Sequence, residues 1–217
     1  MKLRCCSLLL TCLILLAACA TADDVYNNGP INGTVDAWTI NFGFFVSDTF
    51  TVSTPNTPIT GLSFGAWLFP GDVLQSVEVS MTSDVLGGTT YFDQVVNLTQ
   101  SGCSENQLGY TVCTETGSFG GPTLEPGTYW LNLQNAVVNN GDPVYWDENS
   151  GIGCTSKGCP SVAETDCIQN YIGCIPSESF TLSSGGGGTG TTPEPNSAVL
   201  WGSGVLSVIA VLRRKIW

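Results

Sequence analysis

Between Asp23 and Thr181 apolar and polar residues alternate along the chain, and helical periodicity is missing. Trp38, Ile40, Phe42 and Phe44 fall on one face of an extended chain, with Thr39, Asn41 and Gly43 on the other. Phe50 and Val52 continue after a break at Ser47-Asp48. The pattern returns at Leu62, Phe64 and Ala66, and at Val77, Val79 and Met81 with Glu78 and Ser80 opposite. It returns again from Thr90 to Leu98, at Tyr110 and Val112, at Tyr129, Leu131 and Leu133, from Val144 to Trp146 and from Phe180 to Leu182. Turn signals separate these runs: Thr54-Pro55-Asn56, Pro70-Gly71-Asp72, Gly87-Gly88, Pro126-Gly127 and Asn140-Gly141-Asp142. Short strands at such intervals predict an all-β sandwich of jelly-roll type, with two packed sheets burying the aromatic faces.

The ends of the sequence differ from its body. Lys2 and Arg4 precede an apolar run from Leu8 to Leu16 and the small residues Ala17 to Ala22. This layout predicts a signal peptide over 1–22, with a short N-terminal signal helix. Ala-x-Ala pairs suit ordinary signal peptidase, while Leu16-Ala17-Ala18-Cys19 resembles a bacterial lipobox that would place a lipid on Cys19. Both cleavage readings stand. The expected extracytoplasmic domain spans 23–184, and a Gly/Thr linker follows over 185–192.

The expected domain is strongly acidic. Of eighteen Asp and Glu residues, all but Glu194 lie between Asp23 and Glu178, where Lys157 is the one basic residue, so this region carries −16. Such a field excludes nucleic acid and anionic lipid surfaces as partners. The chain has no histidine, which removes Ser-His-Asp and Cys-His catalysis and His-ligated zinc.

Six cysteines lie beyond residue 20: Cys103, Cys113, Cys154, Cys159, Cys167 and Cys174. An even count in an exported chain predicts three disulfides. The spacing suggests that Cys103–Cys113 closes a hairpin and that the other four staple the stretch from Cys154 to Cys174. Zinc on four of them is the alternative, though the paired short knuckles of such sites are missing.

Three chemistries remain open. Asp142, Asp147 and Glu148 beside Tyr145 and Trp146 could form the carboxylate pair of a glycoside hydrolase. Asp147-Glu148-Asn149-Ser150-Gly151 places oxygen ligands at alternate positions, so Asp147 and Asn149 are candidates for a structural Ca²⁺, although the run departs from the EF-hand pattern. Aromatics that reach the surface could stack on sugars, and Trp67, Trp130, Tyr145 and Trp146 are the candidates. Trp130 is opposite in phase to Tyr129, Leu131 and Leu133, so one of those faces points outward or lies under a loop.

Two stretches resemble known families. Pro193-Glu194-Pro195, an apolar run from Ala198 to Leu212 and Arg213-Arg214-Lys215 occur in that order over 193–217. This tail resembles the PEP-CTERM sorting signal of Gram-negative bacteria. The resemblance implies a transmembrane C-terminal helix, cleavage near Pro193–Pro195 by an exosortase-type membrane protease, and passage through the inner membrane to the cell surface or extracellular matrix. It also implies association with extracellular polysaccharide. The body is similar to the β-rich bodies that carry such tails, and Leu124-Glu125-Pro126-Gly127-Thr128-Tyr129 resembles a turn-to-strand phrase of extracellular jelly-roll and pre-peptidase-type sandwiches. The expected function is that of a non-catalytic exported protein of the surface or matrix. A carbohydrate-binding module and a carboxylate-dependent glycoside hydrolase are the alternatives.

Overall fold

A computed structural model describes residues 23–34, 36–85, 87–149, 161–165, 170–175 and 177–185. The expected signal segment with Cys19 lies outside them. So do Cys154, Cys159, Cys167 and the sorting motif Pro193, Glu194, Pro195, Arg213, Arg214 and Lys215.

The described residues form an all-β fold of fourteen strands: β1 (Asp23–Asn27), β2 (Ala37–Thr39), β3 (Phe44–Val52), β4 (Thr57–Pro58), β5 (Gly61–Leu68), β6 (Leu74–Asp84), β7 (Gly87–Glu105), β8 (Thr111–Ser118), β9 (Thr123–Leu124), β10 (Gly127–Val138), β11 (Tyr145–Asp147), β12 (Ser161–Thr165), β13 (Asn170–Ile175) and β14 (Phe180–Ser184). Twelve belong to one antiparallel sheet in the order β1-β14-β5-β8-β7-β6-β10-β3-β12-β13, with β11 and β2 added beside β5. The short strands β4 and β9 pair separately.

The expected sandwich is therefore one sheet curled over on itself. The 19-residue β7 makes the corner. Its first part, through Asn97, pairs with β6, and its second part, from Leu98, pairs with β8. The two halves meet face to face, with the Tyr26 ring of β1 lying 6.2 Å from Phe50 of β3. A long strand can serve both halves because strand twist accumulates along its length.

Inward residues follow the alternation. Phe50, Leu62, Phe64, Leu131, Trp146, Phe180 and Leu182 are all buried in a single core. Each such side chain contributes about 1.5–3 kcal/mol through removal from water. Trp146 packs edge-on against Phe64 and Phe180, with centroids 6.2 and 5.7 Å away.

Three local expectations are corrected. Phe42 does not continue the face of Trp38 and Ile40: it is 62 % exposed. Phe42 and Gly43 have φ of 56° and 88°, so the chain turns there and separates β2 from β3. The break expected at Ser47-Asp48 is absent, because β3 runs through both and Asp48 points inward with Val46 and Phe50. The Pro126-Gly127 turn signal favours a positive φ at the glycine after proline, and Gly127 does not adopt one. It opens β10, where a Cβ would sit 3.4 Å from the Tyr129 ring. That ring folds back so that the Tyr129 hydroxyl donates to the Glu125 carbonyl at 2.8 Å.

The Cys103–Cys113 disulfide is present and joins β7 to β8. Cys174 lies in β13, opposite Val162.

Candidate functional site

One edge of β5 is shared by two strands. β14 pairs with its first half, from Gly61 to Phe64, and β11 pairs with Ala66 and Trp67. Between them the edge opens at Gly65, whose N–H donates to the Ser179 carbonyl at 3.4 Å. Glycine is required here by space: a Cβ would lie within 2.8 Å of Ser179 Oγ, Asp147 Cβ and Ile31 Cγ2. The chain leaving β11 and the chain approaching β14 turn toward each other in this split. Ser179 N–H donates to the Asp147 carbonyl at 2.8 Å, and Asn149 N–H to the Ser177 carbonyl at 2.9 Å. Glu148 and Glu178 face one another as a bridge.

The split is lined with buried polar groups. Asp147 Oδ1 accepts from Gly33 N–H at 2.9 Å and from the Trp67 indole N–H at 2.6 Å. Its Oδ2 accepts from Asn32 N–H at 3.0 Å and from the Ser179 hydroxyl at 3.1 Å. Burial pushes this carboxyl up from its ordinary range, and the four donors pull it partly back. Asp147 thus fastens the 32–33 loop over the outer face of β5.

Glu148 accepts from the Trp38 indole N–H. Burial raises its carboxyl, the Trp38 bond opposes that, and the charges of Asp36 and Asp147 reinforce it. The Asn149 amide donates to the Asn28 and Glu178 carbonyls.

Across the core, Asp48 of β3 reaches the same place. Its Oδ2 accepts from the Asn28 amide at 2.9 Å, the Ser177 hydroxyl at 2.9 Å and Glu178 N–H at 2.7 Å. Asn28 is held in turn by the Tyr26 hydroxyl, which donates to its Oδ1 at 2.8 Å. These bonds tie β1, β3 and the approach to β14 across the two halves of the curled sheet. The Glu178 carboxyl is different. It is 0 % exposed, and neither oxygen meets a donor. Burial first, then the charges of Asp48, Glu148, Asp147 and Asp36, push it well above the usual carboxylate range.

The aromatic candidates separate. Trp146 is 0 % exposed and its indole N–H donates to the Ser179 carbonyl at 3.0 Å, so it is a core residue out of a glycan's reach. Trp130 is half-buried on the outward side of β10, between Thr49 and Thr82 on the flanking strands. Tyr145 is half-buried and joins a surface cluster. The Tyr110 ring stands edge-on to Tyr145 at 5.6 Å and to Phe69 at 5.3 Å. Trp67 lies 5.8 Å from Tyr110 and is buried. Phe69 is 37 % exposed. In sequence Tyr110 is in phase with Val112 and reads as a strand residue, not as a surface aromatic, while Phe69 follows β5 and has Gly71 two residues on, so the alternation does not mark it.

A separate cavity of about 330 Å³ lies beside the disulfide, lined mainly by polar groups that include Asn32, Thr34, Ser104, Glu105 and Asn106. Asp142 stands outside the acidic split; its carbonyl accepts from the Asn41 amide at 2.9 Å. Among the described residues no three acidic or cysteine side chains form a ready-made metal cage.

In comparison with known proteins, no family model and no curated protein sequence matches the chain.

Proposed function

We propose that this is an exported, non-catalytic protein of the bacterial surface or extracellular matrix, sorted through a PEP-CTERM/exosortase route and associated with extracellular polysaccharide. The observation that carries the reading is the order Pro193-Glu194-Pro195, apolar run, Arg213-Arg214-Lys215. The acidic, histidine-free body and its Cys103–Cys113 disulfide are consistent with life outside the cytoplasm. The intact mass of the protein taken from the surface of its native cells tests this. A mass ending near Pro193–Pro195 is expected, and a surface species that ends at Trp217 overturns the route.

One observation favours a second reading, a carbohydrate-binding module. Phe69, Tyr110 and Tyr145 gather half-exposed rings, two of them bearing hydroxyls, at one edge of the β5–β8 surface. Rings of this kind offer an apolar face to sugar C–H groups and a polar rim to sugar hydroxyls. The charge of −16 over the body repels uronate or sulfated chains, so the glycan would be neutral or aminated. Retention on neutral and amino-sugar polysaccharides should fall in Tyr110→Ala and Tyr145→Ala. Unchanged retention in both variants rules the patch out.

The hydrolase alternative draws less support. Asp147 is buried and its oxygens accept four hydrogen bonds from the chain itself. Chain donors thus occupy the positions that substrate or a catalytic water would need.

A further inference from the structure

The Glu178 carboxyl is the one group in the split without an account. Every other buried polar side chain named there has at least one hydrogen-bond partner. Glu178 has none at either oxygen, although its own backbone N–H and carbonyl are both bonded. It stands in the combined field of Asp48, Glu148, Asp147 and Asp36. Four acids around a buried fifth repel one another in a medium of low dielectric, and folding must compensate them. No lysine or arginine among the described residues can do so, because the body's only basic residue, Lys157, lies outside them.

We propose that the split between β11 and β14 binds a hard divalent cation, Ca²⁺ by its ligand chemistry, through the Glu178 carboxylate, with Asp48 and Glu148 supplying the surrounding negative charge. The side chains that adjoin Glu178 with oxygen are the Asp48 carboxylate, the Ser177 hydroxyl bonded to it, and the Glu148 carboxylate across the bridge. The chain has no histidine, and the disulfide-bonded cysteines are elsewhere. An all-oxygen set selects Ca²⁺ or Mg²⁺ over zinc. Ca²⁺ accepts a bidentate carboxylate with irregularly placed carbonyl and amide oxygens, while Mg²⁺ demands an octahedron and holds its water. A two-oxygen ligand with neutral oxygens around it needs no cage of three acids. The cation is thereby assigned to Glu178 and not to Asp147 or Asn149. Asp147 already accepts four hydrogen bonds, and Asn149 turns its amide nitrogen, not its oxygen, into the split.

The test uses the full chain in mild detergent, stripped with chelator and held near neutral pH. Ca²⁺ at about 1 mM should raise Tm by roughly 5 °C or more, and Mg²⁺ should raise it less. Glu178→Gln keeps the shape and removes the charge; it should fold and lose the Ca²⁺ response. Should that variant fail to fold, Tb³⁺ bound to the wild type gives the second readout. Trp38, bonded to Glu148, should sensitise its luminescence, and Ca²⁺ should quench it by displacement. Absence of both a Tm response and displaceable Tb³⁺ emission in the wild type overturns the proposal, as does an equal Ca²⁺ response in Glu178→Gln.

Discussion

Glu178 is bound to Asp48 through its backbone and opposed to it through its side chain. Its N–H donates to Asp48 Oδ2 at 2.7 Å, while Asp48 is the strongest of the charges acting on its carboxyl. The contact draws the approach to β14 against β3, so one acid organises the seam and the other is placed against it. A seam of this kind closes the open side of the curled sheet, opposite the corner made by β7.

Asp48 should therefore be a principal stabilising residue of the seam. Asp48→Ala leaves the Asn28 amide, the Ser177 hydroxyl and Glu178 N–H without their shared acceptor. Each unsatisfied buried donor costs about 1–3 kcal/mol, and relief of repulsion on Glu178 offsets only part of that. Urea unfolding should show a net loss of about 3 kcal/mol or more. A loss below about 1 kcal/mol would mean that water replaces the carboxylate and the seam is not organised as described.

Gly65 makes a sharper test of the split. A methyl group there meets Ser179 Oγ at 2.7 Å and Asp147 Cβ and Ile31 Cγ2 at 2.8 Å. Two of these belong to the chains that converge on the split, so Gly65→Ala must push them apart. A loss of about 1–3 kcal/mol is expected from overpacking. Indole fluorescence should shift as well, because Trp67 is bonded to Asp147. Wild-type stability with an unshifted spectrum would contradict the close approach.

Much of the fold was legible in the alternation, and the same alternation held the site in a form easy to misread. Asp48 is in phase with Val46, Phe50 and Val52, and Glu178 is in phase with Phe180 and Leu182. Glu115 is in phase with the buried Cys113 and Gly117. An acid at an inward position reads naturally as an interruption of the strand, which is how Ser47-Asp48 was read. The interruption carries the information: such an acid must find donors, a proton or a cation inside the sandwich. Asp147 and Glu148 stood out because they adjoin the aromatic pair Tyr145-Trp146. Their partners Asn28, Asn32 and Ser177 to Ser179 did not, being distant in sequence and joined only by the way β11 and β14 share β5. Trp146 and Tyr145 look alike in sequence and differ by one step of the pleat, which buries one and half-exposes the other.

The Cys103–Cys113 bond fixes the β7–β8 hairpin beside the register shift between Ser101 and Ser104. A closed loop of this length lowers the unfolded chain's entropy by an amount worth about 2–3 kcal/mol. Replacing both cysteines with serine should lower stability by that amount and leave the fold intact. The far-UV spectrum and the unfolding midpoint measure the two halves of that statement. Loss of the β spectrum at ambient temperature would show that the hairpin depends on the bond outright.

The last prediction concerns Glu115, which lies inside the sandwich and far in sequence from the split. Its cross-strand neighbours are Phe64 on β5 and Gln100 on β7, neither of them charged. It is 0 % exposed and both carboxyl oxygens lack donors. Burial alone pushes its pKa from the ordinary 4.5 to about 8. The folded protein then holds a proton that the unfolded chain releases, so stability falls with rising pH. The contribution is complete below about pH 4.5, declines across the window at about 1.4 kcal/mol per pH unit, and is gone above about pH 8. Glu115→Gln removes the titrating group at constant shape, and its stability should lack this component of the slope. Urea unfolding of both proteins between about pH 5 and 8 gives the difference directly. Parallel curves would show that Glu115 is ionised in the folded state, with a counter-charge or water beside it. A wild-type curve that falls more steeply than the variant's places the proton on Glu115, and the protein is then more stable in mild acid than at neutral pH.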